Sequence, residues 1–296
     1  MAKQKTLLER MKGGEFIVSV QIDPPGLRTK MQEYWDDIRK LKKAGVWLVD
    51  INSSRRVSYD SIYLAGKLKR MGFEVIPHVT TRDSSVDGLI NLILIANRED
   101  KIKNFLIITG DPREGKHAKF STGVFQTDSA GALGAVNGQL KIGGPMDLSL
   151  AAAVNQNTTD LSKEAERIKS KEDAGADFFM SQPVFSKDQI FELCNFFRAY
   201  SKKPLMVGIW PIMSLKTARL IQENKIEGVI MPTEIYNECE RIGAESSFRL
   251  NERCISLAFD LIEYIHSSTS ANGVYIVAPL RNPQNLLPLL EKLNLK

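Results

Sequence analysis

The chain has 296 residues, 43% of them hydrophobic and 25% charged, so it carries ample apolar material for a core. A net charge of +5, from 40 basic against 35 acidic residues, is a solubilising balance that suits small anionic ligands and gives no nucleic-acid footprint. Three cysteines without a C-x-x-C spacing argue against a disulfide framework and for a cytoplasmic protein; the first twelve residues lack the apolar run of a signal peptide, and no run reaches bilayer-spanning length.

Residues 16–22 form a β-branched apolar run that stops at Asp23-Pro24-Pro25, which predicts a buried strand ending in a turn. A helix over 30–44 closed by Gly45, a strand over 46–51, a helix over 59–71 closed by Gly72 and a strand over 73–79 follow. Next come a helix over 86–98 and a strand over 105–109 running into Gly110-Asp111-Pro112. Residues 113–127 read as a long functional loop, with a helix over 128–138 after it. A strand over 148–154 leads to a charged helix over 161–174, capped by Thr159-Asp160 and closed by Gly175. The remainder reads as a strand at 177–181, a helix at 187–200, a strand at 204–209 and a helix at 215–224. A long helix at 244–266, a strand at 274–278 and a helix at 283–293 complete it.

Residues 228–231 read as a strand cut by Pro232 or as a loop. Without them the strands number eight, and a single-domain (β/α)8 TIM barrel over 1–296 is the expectation. The alternative is a doubly wound open sheet, but the first βα turn is Asp-Pro-Pro-Gly and no G-x-G-x-x-G fingerprint.

In a barrel the residues just after each strand face one cleft: Gln21 and Asp23, Asn52 and Ser53, His78 and Thr80, Gly110 and Asp111, Asn155, Gln182, Trp210 and Pro211, and Arg281. Strand periodicity turns Gln21 and Asp23 the same way. The set is rich in amides, carboxylates and one guanidinium, which suits a flat heterocycle read along its amide and amine edges. His78, His117 and His266 lie far apart and no metal-ligand spacing occurs, so no metal is expected. No nucleophile elbow or Walker loop is present. Each residue also has a plain reading: Asp111 as a turn former, His78 as a hydrogen-bonded strand end, Gln182 as a cap of its strand, and Lys169 and Lys171 as a solvated helix face.

Six segments in order resemble the methylenetetrahydrofolate reductase family. They are Val-Gln-Ile-Asp-Pro-Pro (20–25), Pro-His-Val-Thr (77–80), Ile-Thr-Gly-Asp-Pro (108–112), Ala-Ala-Val-Asn (152–155), Lys-Glu-Asp-Ala-Gly-Ala-Asp-Phe-Phe-Met-Ser-Gln-Pro-Val-Phe (171–185) and Gly-Ile-Trp-Pro (208–211). The first and fifth look most like the reductase module of bifunctional homocysteine methyltransferase/reductase proteins. The resemblance implies an FAD-containing TIM barrel that reduces methylenetetrahydrofolate with NAD(P)H. It puts Asp111 and Gln182 against the folate, Arg281 near the folate tail, and His78, Asn155, Glu164 and Lys171 around the flavin.

Two positions depart from that pattern. Gln21 stands where the family carries a glutamate that protonates the folate, and an amide has no proton to give near neutral pH. Asp23 is the one nearby replacement. Ser170 stands where an arginine commonly precedes the lysine of the flavin-phosphate helix. The expectation is therefore an enzyme acting at N5 of tetrahydrofolate or methyltetrahydrofolate, moving a methyl group to or from a corrinoid protein, with Gln21, Asp23 and Asp111 in the reaction. An FAD-dependent reductase and a catalytically silent folate-binding subunit are the alternatives, and a homo-oligomer is open.

Overall fold

Runs rich in Val, Ile and Phe pair in sequence order around a closed cylinder in the computed structural model of the chain, which describes residues 5–113, 118–142 and 146–295. The strands are β1 (Ile17–Ile22), β2 (Leu48–Ile51), β3 (Glu74–Thr80), β4 (Asn104–Ile108), β5 (Ser149–Ala153), β6 (Phe178–Val184), β7 (Leu205–Ile209) and β8 (Gly273–Val277). Every pairing is parallel, and β8 closes on β1 through Ile17↔Gly273 to Gln21↔Val277. The helices are α1 (Leu7–Lys12), α2 (Met31–Lys43), α3 (Ser61–Arg70), α4 (Val86–Asp100), α5 (Ser129–Ile142), α6 (Leu161–Asp173), α7 (Lys187–Tyr200), α8 (Leu215–Gln222), α9 (Thr233–Glu245), α10 (Ser247–Ser268) and α11 (Leu287–Leu293). The expected (β/α)8 barrel is thus the fold.

Strand periodicity sorts the side chains into two cores. Val20 and Ile22 of β1 pack outward with the helices, as do Val49, Val75, Phe105, Ala152, Phe179, Val207 and Ile276. Ile17, Leu48, Ile76, Leu106, Phe178, Met206 and Tyr275 point inward. The N-terminal end of the cylinder is closed by Leu7 and Met11 of α1, a helix absent from the periodicity reading. Its signal is a capping box: the Thr6 hydroxyl accepts from Glu9 N while the Glu9 carboxylate accepts from Thr6 N.

Two other expectations change, and one left open is settled. The helix read at 244–266 is α10, which starts at Ser247 because Ser246 is extended (φ −159°, ψ 121°) and its hydroxyl caps the helix by accepting from Arg249 N; α9, ahead of it, covers residues to which no element had been assigned. Residues 228–231 are loop and no ninth strand. Gly228 adopts φ +74°, and Asn157 Nδ2 ties its carbonyl to the β5 end at 2.8 Å. Strand β6 runs on to Val184, with its register shifted between Met180 and Pro183, so Gln182 lies inside the strand rather than beyond it. Within the predicted loop at 113–127, residues 114–117, including His117, lie outside the described residues. Among the described residues no helix is long and apolar enough to cross a membrane.

Candidate active site

The inward face of β1 reads Ile17, Ser19, Gln21, passing from apolar to polar as it approaches the C-terminal mouth. Gln21 stands in register with Asp50 of β2 and Val277 of β8, so its half-buried amide projects into the barrel between those strands. Beneath the mouth lies a polar layer that sequence reasoning missed. Asp50 is fully buried; its Oδ2 accepts from Ser19 Oγ at 2.6 Å, and its Oδ1 faces His78 Nε2 at 3.4 Å. Burial and then the Asp50 charge hold the Tyr275 phenol well above its ordinary range, so it stays a donor. Its hydroxyl donates to the Ser181 carbonyl. Gly208 makes room for that ring, since a Cβ there would stand 2.5 Å from the Tyr275 hydroxyl. The signal for Asp50 was a lone carboxylate inside the apolar run Leu-Val-Asp-Ile, because a buried acid needs partners.

Three networks stitch the strand ends together at the rim. Asp23 follows the last residue of β1. Its Oδ1 accepts from Asn52 Nδ2 at 2.8 Å, and its Oδ2 pairs with Arg281 Nε at 3.5 Å, linking the ends of β1, β2 and β8. Arg281 is otherwise exposed and sits at φ +58°.

The second network centres on Arg82, whose side chain is 1% exposed. Its guanidinium donates to both Asp83 oxygens (2.9 and 2.6 Å), to Ser53 Oγ (3.1 Å), and to the carbonyls of Ser54 (3.1 Å) and Asp111 (3.1 Å). Burial opposes the Asp83 charge, but hydrogen bonds from Arg82 and Thr80 and the charges of Arg82 and Arg113 win, holding its carboxyl below the usual range. Arg82 thereby fixes the backbone at Asp111. The Asp111 side chain is half-exposed and lies 3.6 Å from Arg55. Gly110 supports this close approach with φ +79° and a would-be Cβ 3.0 Å from Thr80.

The third network joins β5 and β6. The Gln156 amide donates to the Gln182 carbonyl (2.8 Å) and accepts from Gln182 N (3.0 Å), while the Gln182 side chain packs against Gly228.

The residues that the resemblance places around a flavin are mostly spent on the protein's own backbone. Buried Glu164 accepts from Asn155 N at 2.9 Å, and Asn155 Oδ1 accepts from Asn157 N at 3.2 Å. Lys171 is buried, not solvated as its helix position had implied, and donates to the Ala153 carbonyl at 2.7 Å. Burial lowers its pKa, against the pull of Glu164. Lys169 does lie on the exposed face, over the Tyr200 ring. Glu164 and Lys171 therefore secure the β5–α6 turn and do not form an open cradle for a phosphate, and exposed Ser170 adds no cation. As arranged, Asn155, Glu164 and Lys171 are engaged with the β5–α6 turn and do not fit an open FAD site.

The sequence profile of methylenetetrahydrofolate reductase matches residues 6–293. Among solved structures, an uncharacterized protein from Clostridium thermocellum that binds two copies of 5-methyl-5,6,7,8-tetrahydrofolic acid superposes with a TM-score of 0.68 at 15% identity, over 98% of this chain and 99% of that one. A 2,3-dimethylmalate lyase of the PEP mutase/isocitrate lyase superfamily gives 0.46 at 13% identity over 67% and 66% of the two chains, too distant for any functional argument. No curated protein sequence matches the chain.

Proposed function

Because the chain belongs to the methylenetetrahydrofolate reductase family, we propose that its barrel mouth binds a reduced folate and moves a methyl group between N5 of that folate and a corrinoid protein, without a flavin. The observation that carries this reading is the inward turn of Glu164 and Lys171 onto the ends of Asn155 and Ala153. A reductase of this type needs a bound hydride carrier, and the residues expected to hold it are engaged elsewhere. Methyl transfer at N5 needs a pterin held in line with its acceptor and hydrogen bonds that follow the charge on the ring. Gln21, Asp111 and Gln182 are the groups suited to hold it. The Gln21 amide donates and accepts along a pterin edge, Asp111 accepts from its amino and ring N–H groups, and Gln182 closes the opposite side. Arg281, exposed at the rim, is placed for the anionic folate tail. Asp23 anchors Arg281 and Asn52 and serves the binding site rather than the reaction. The three cysteines, all buried and unbridged, accord with a cytoplasmic enzyme.

The test is a comparison of two reactions with one purified protein. Titration with 5-methyltetrahydrofolate followed by cob(I)alamin should consume the Co(I) species and yield methylcobalamin. Co-purified FAD near one per chain, with NAD(P)H-dependent reduction of methylenetetrahydrofolate, would overturn the reading in favour of the reductase. Folate binding with neither turnover would leave a silent subunit.

A further inference from the structure

Two buried polar atoms inside the barrel face each other yet neither has a hydrogen-bond partner: Asp50 Oδ1 and His78 Nε2, 3.4 Å apart. Orphaned buried polar atoms are uncommon in folded proteins and call for a purpose. Asp50 is 0% exposed and His78 5%. Ser19 occupies the other carboxylate oxygen, which leaves Oδ1 beside the imidazole.

The chemistry of the pair fixes a tautomer. A carboxylate oxygen and an unprotonated ring nitrogen would set lone pair against lone pair, so Nε2 carries a hydrogen and Nδ1 is the nitrogen left to exchange a proton. Register places the two groups in order along the barrel. Asp50 is level with Gln21, whereas Ile51 pairs with Pro77, which sets His78 level with Asn52, the residue that reaches Asp23 on the rim. The carboxylate lies deeper and the imidazole nearer the mouth. The other titratable group of this layer is the Tyr275 phenol on β8, which stays protonated.

We propose that a buried Asp50–His78 dyad does the acid–base work beside Gln21: Asp50 is a positioning residue that holds the Nε2–H tautomer, and His78 exchanges a proton with the bound pterin through Nδ1. This rests on the reduced-folate reading above. As the methyl group leaves N5 for the low-valent corrinoid, the C–N electron pair stays on N5. A proton that Nδ1 has taken up from solvent at the mouth passes to N5: the Nδ1–H bond breaks toward N5, and its electrons remain on the ring. Asp50 is a carboxylate throughout, and the reverse transfer returns the proton to Nδ1. The arrangement follows a general rule in which a buried acid orients an imidazole without itself being protonated.

The experiment uses the full chain with 15N-labelled histidine, wild type and the variants H78Q, D50N and D50A, with 5-methyltetrahydrofolate as probe. The His78 signals, assigned by their loss in H78Q, should report an Nε2–H tautomer in the wild type. That preference should weaken in D50N and D50A, and saturating 5-methyltetrahydrofolate should move the Nδ1 resonance. Methyl transfer to cob(I)alamin should fall by about 10²–10³-fold in H78Q and by about 10–100-fold in D50N, with folate affinity kept within about threefold in both, the range expected when a proton donor rather than a binding contact is lost. An Nδ1–H tautomer in the wild type, an unmoved Nδ1 at saturation, or wild-type transfer by H78Q would each overturn the dyad. A wild type that binds no 5-methyltetrahydrofolate would sink the folate reading and the dyad's substrate with it, whereas binding with an unmoved Nδ1 sinks the dyad alone.

Discussion

Replacing Arg82 by methionine tests whether one buried guanidinium holds three strand ends in place. The substitution keeps much of the side-chain volume and removes the bonds to Asp83, the Ser53 hydroxyl and the carbonyls of Ser54 and Asp111. Breaking a buried, hydrogen-bonded ion pair from one side costs about 3–5 kcal/mol. Asp83 retains Arg113 at 2.7 Å and Thr80 at 2.7 Å, which moves the expected cost toward the lower end of that range. For a chain of this length the unfolding entropy is about 0.6 kcal/mol/K, so the melting temperature should drop by about 5 °C. Arg82→Lys should fall between the two, because an ammonium cannot reproduce the planar fork. Thermal melting followed by far-UV circular dichroism reads the first effect. A parallel titration with 5-methyltetrahydrofolate reads the loosening of Asp111 as weaker binding. If R82M melts within about 1 °C of the wild type, too small a shift for a loss of even 1 kcal/mol, and binds the folate equally well, Arg82 is no keystone and the rim is held by other bonds.

Asp83 should give the protein an acid-sensitive component of stability. Its folded carboxyl sits below the ordinary value, so between that value and about 3.9 the unfolded chain binds more protons. Stability therefore rises with pH across this window and is lost as the pH falls through it. The gap in urea midpoint between wild type and D83N should narrow as the pH is lowered from about 6 to about 3, and a constant gap would contradict the assignment. Gly208→Ala drives a methyl into the Tyr275 hydroxyl and should destabilise the fold by about 1–3 kcal/mol. Combining it with Tyr275→Leu should recover part of that loss in chemical denaturation, a coupling that strictly additive effects would refute. Gln21→Glu sets a second carboxylate in register with Asp50. It should lower stability by about 1 kcal/mol through like-charge repulsion and confer no NAD(P)H-dependent reduction of methylenetetrahydrofolate; a clear gain of that activity would show that the flavin site is intact after all.

Much of the architecture was legible because barrel strands are buried on both faces and read as uninterrupted apolar runs. The β1 run and its Pro-Pro stop, and the glycines closing α2, α3 and α6, mark elements by local backbone chemistry alone. The helices missed were α1 and α9. Thr6-Leu-Leu-Glu9 is a capping box on a helix too short for periodicity to register, and α9 opens after Pro232 with no side-chain cap to mark its start. Residues 228–231, open in the sequence between strand and loop, are held as loop by packing against Gln182 and by the bond from Asn157. At the site, position along the chain was enough to place Gln21 and Asp111 near strand ends and Arg281 in the stretch after β8, whereas Gln182 falls inside β6. Their neighbours were hidden, since Asp50, Arg82 and Gln156 acquire meaning only from partners on other strands.

Taken alone, the order of residues determined the barrel and the family, because strand burial, turn chemistry and motif spacing are properties of neighbours in sequence. Only the tertiary structure decided which polar groups are available to a ligand. Glu164 and Lys171 are turned into the β5–α6 turn, Asp23 is committed to Arg281 and Asn52, and Asp50 lies under His78. The physical reason is that a charged side chain goes wherever its burial is best compensated. In a closed barrel that compensation comes from strands about 20 to 250 residues away in sequence, an order-of-magnitude span no local pattern can encode.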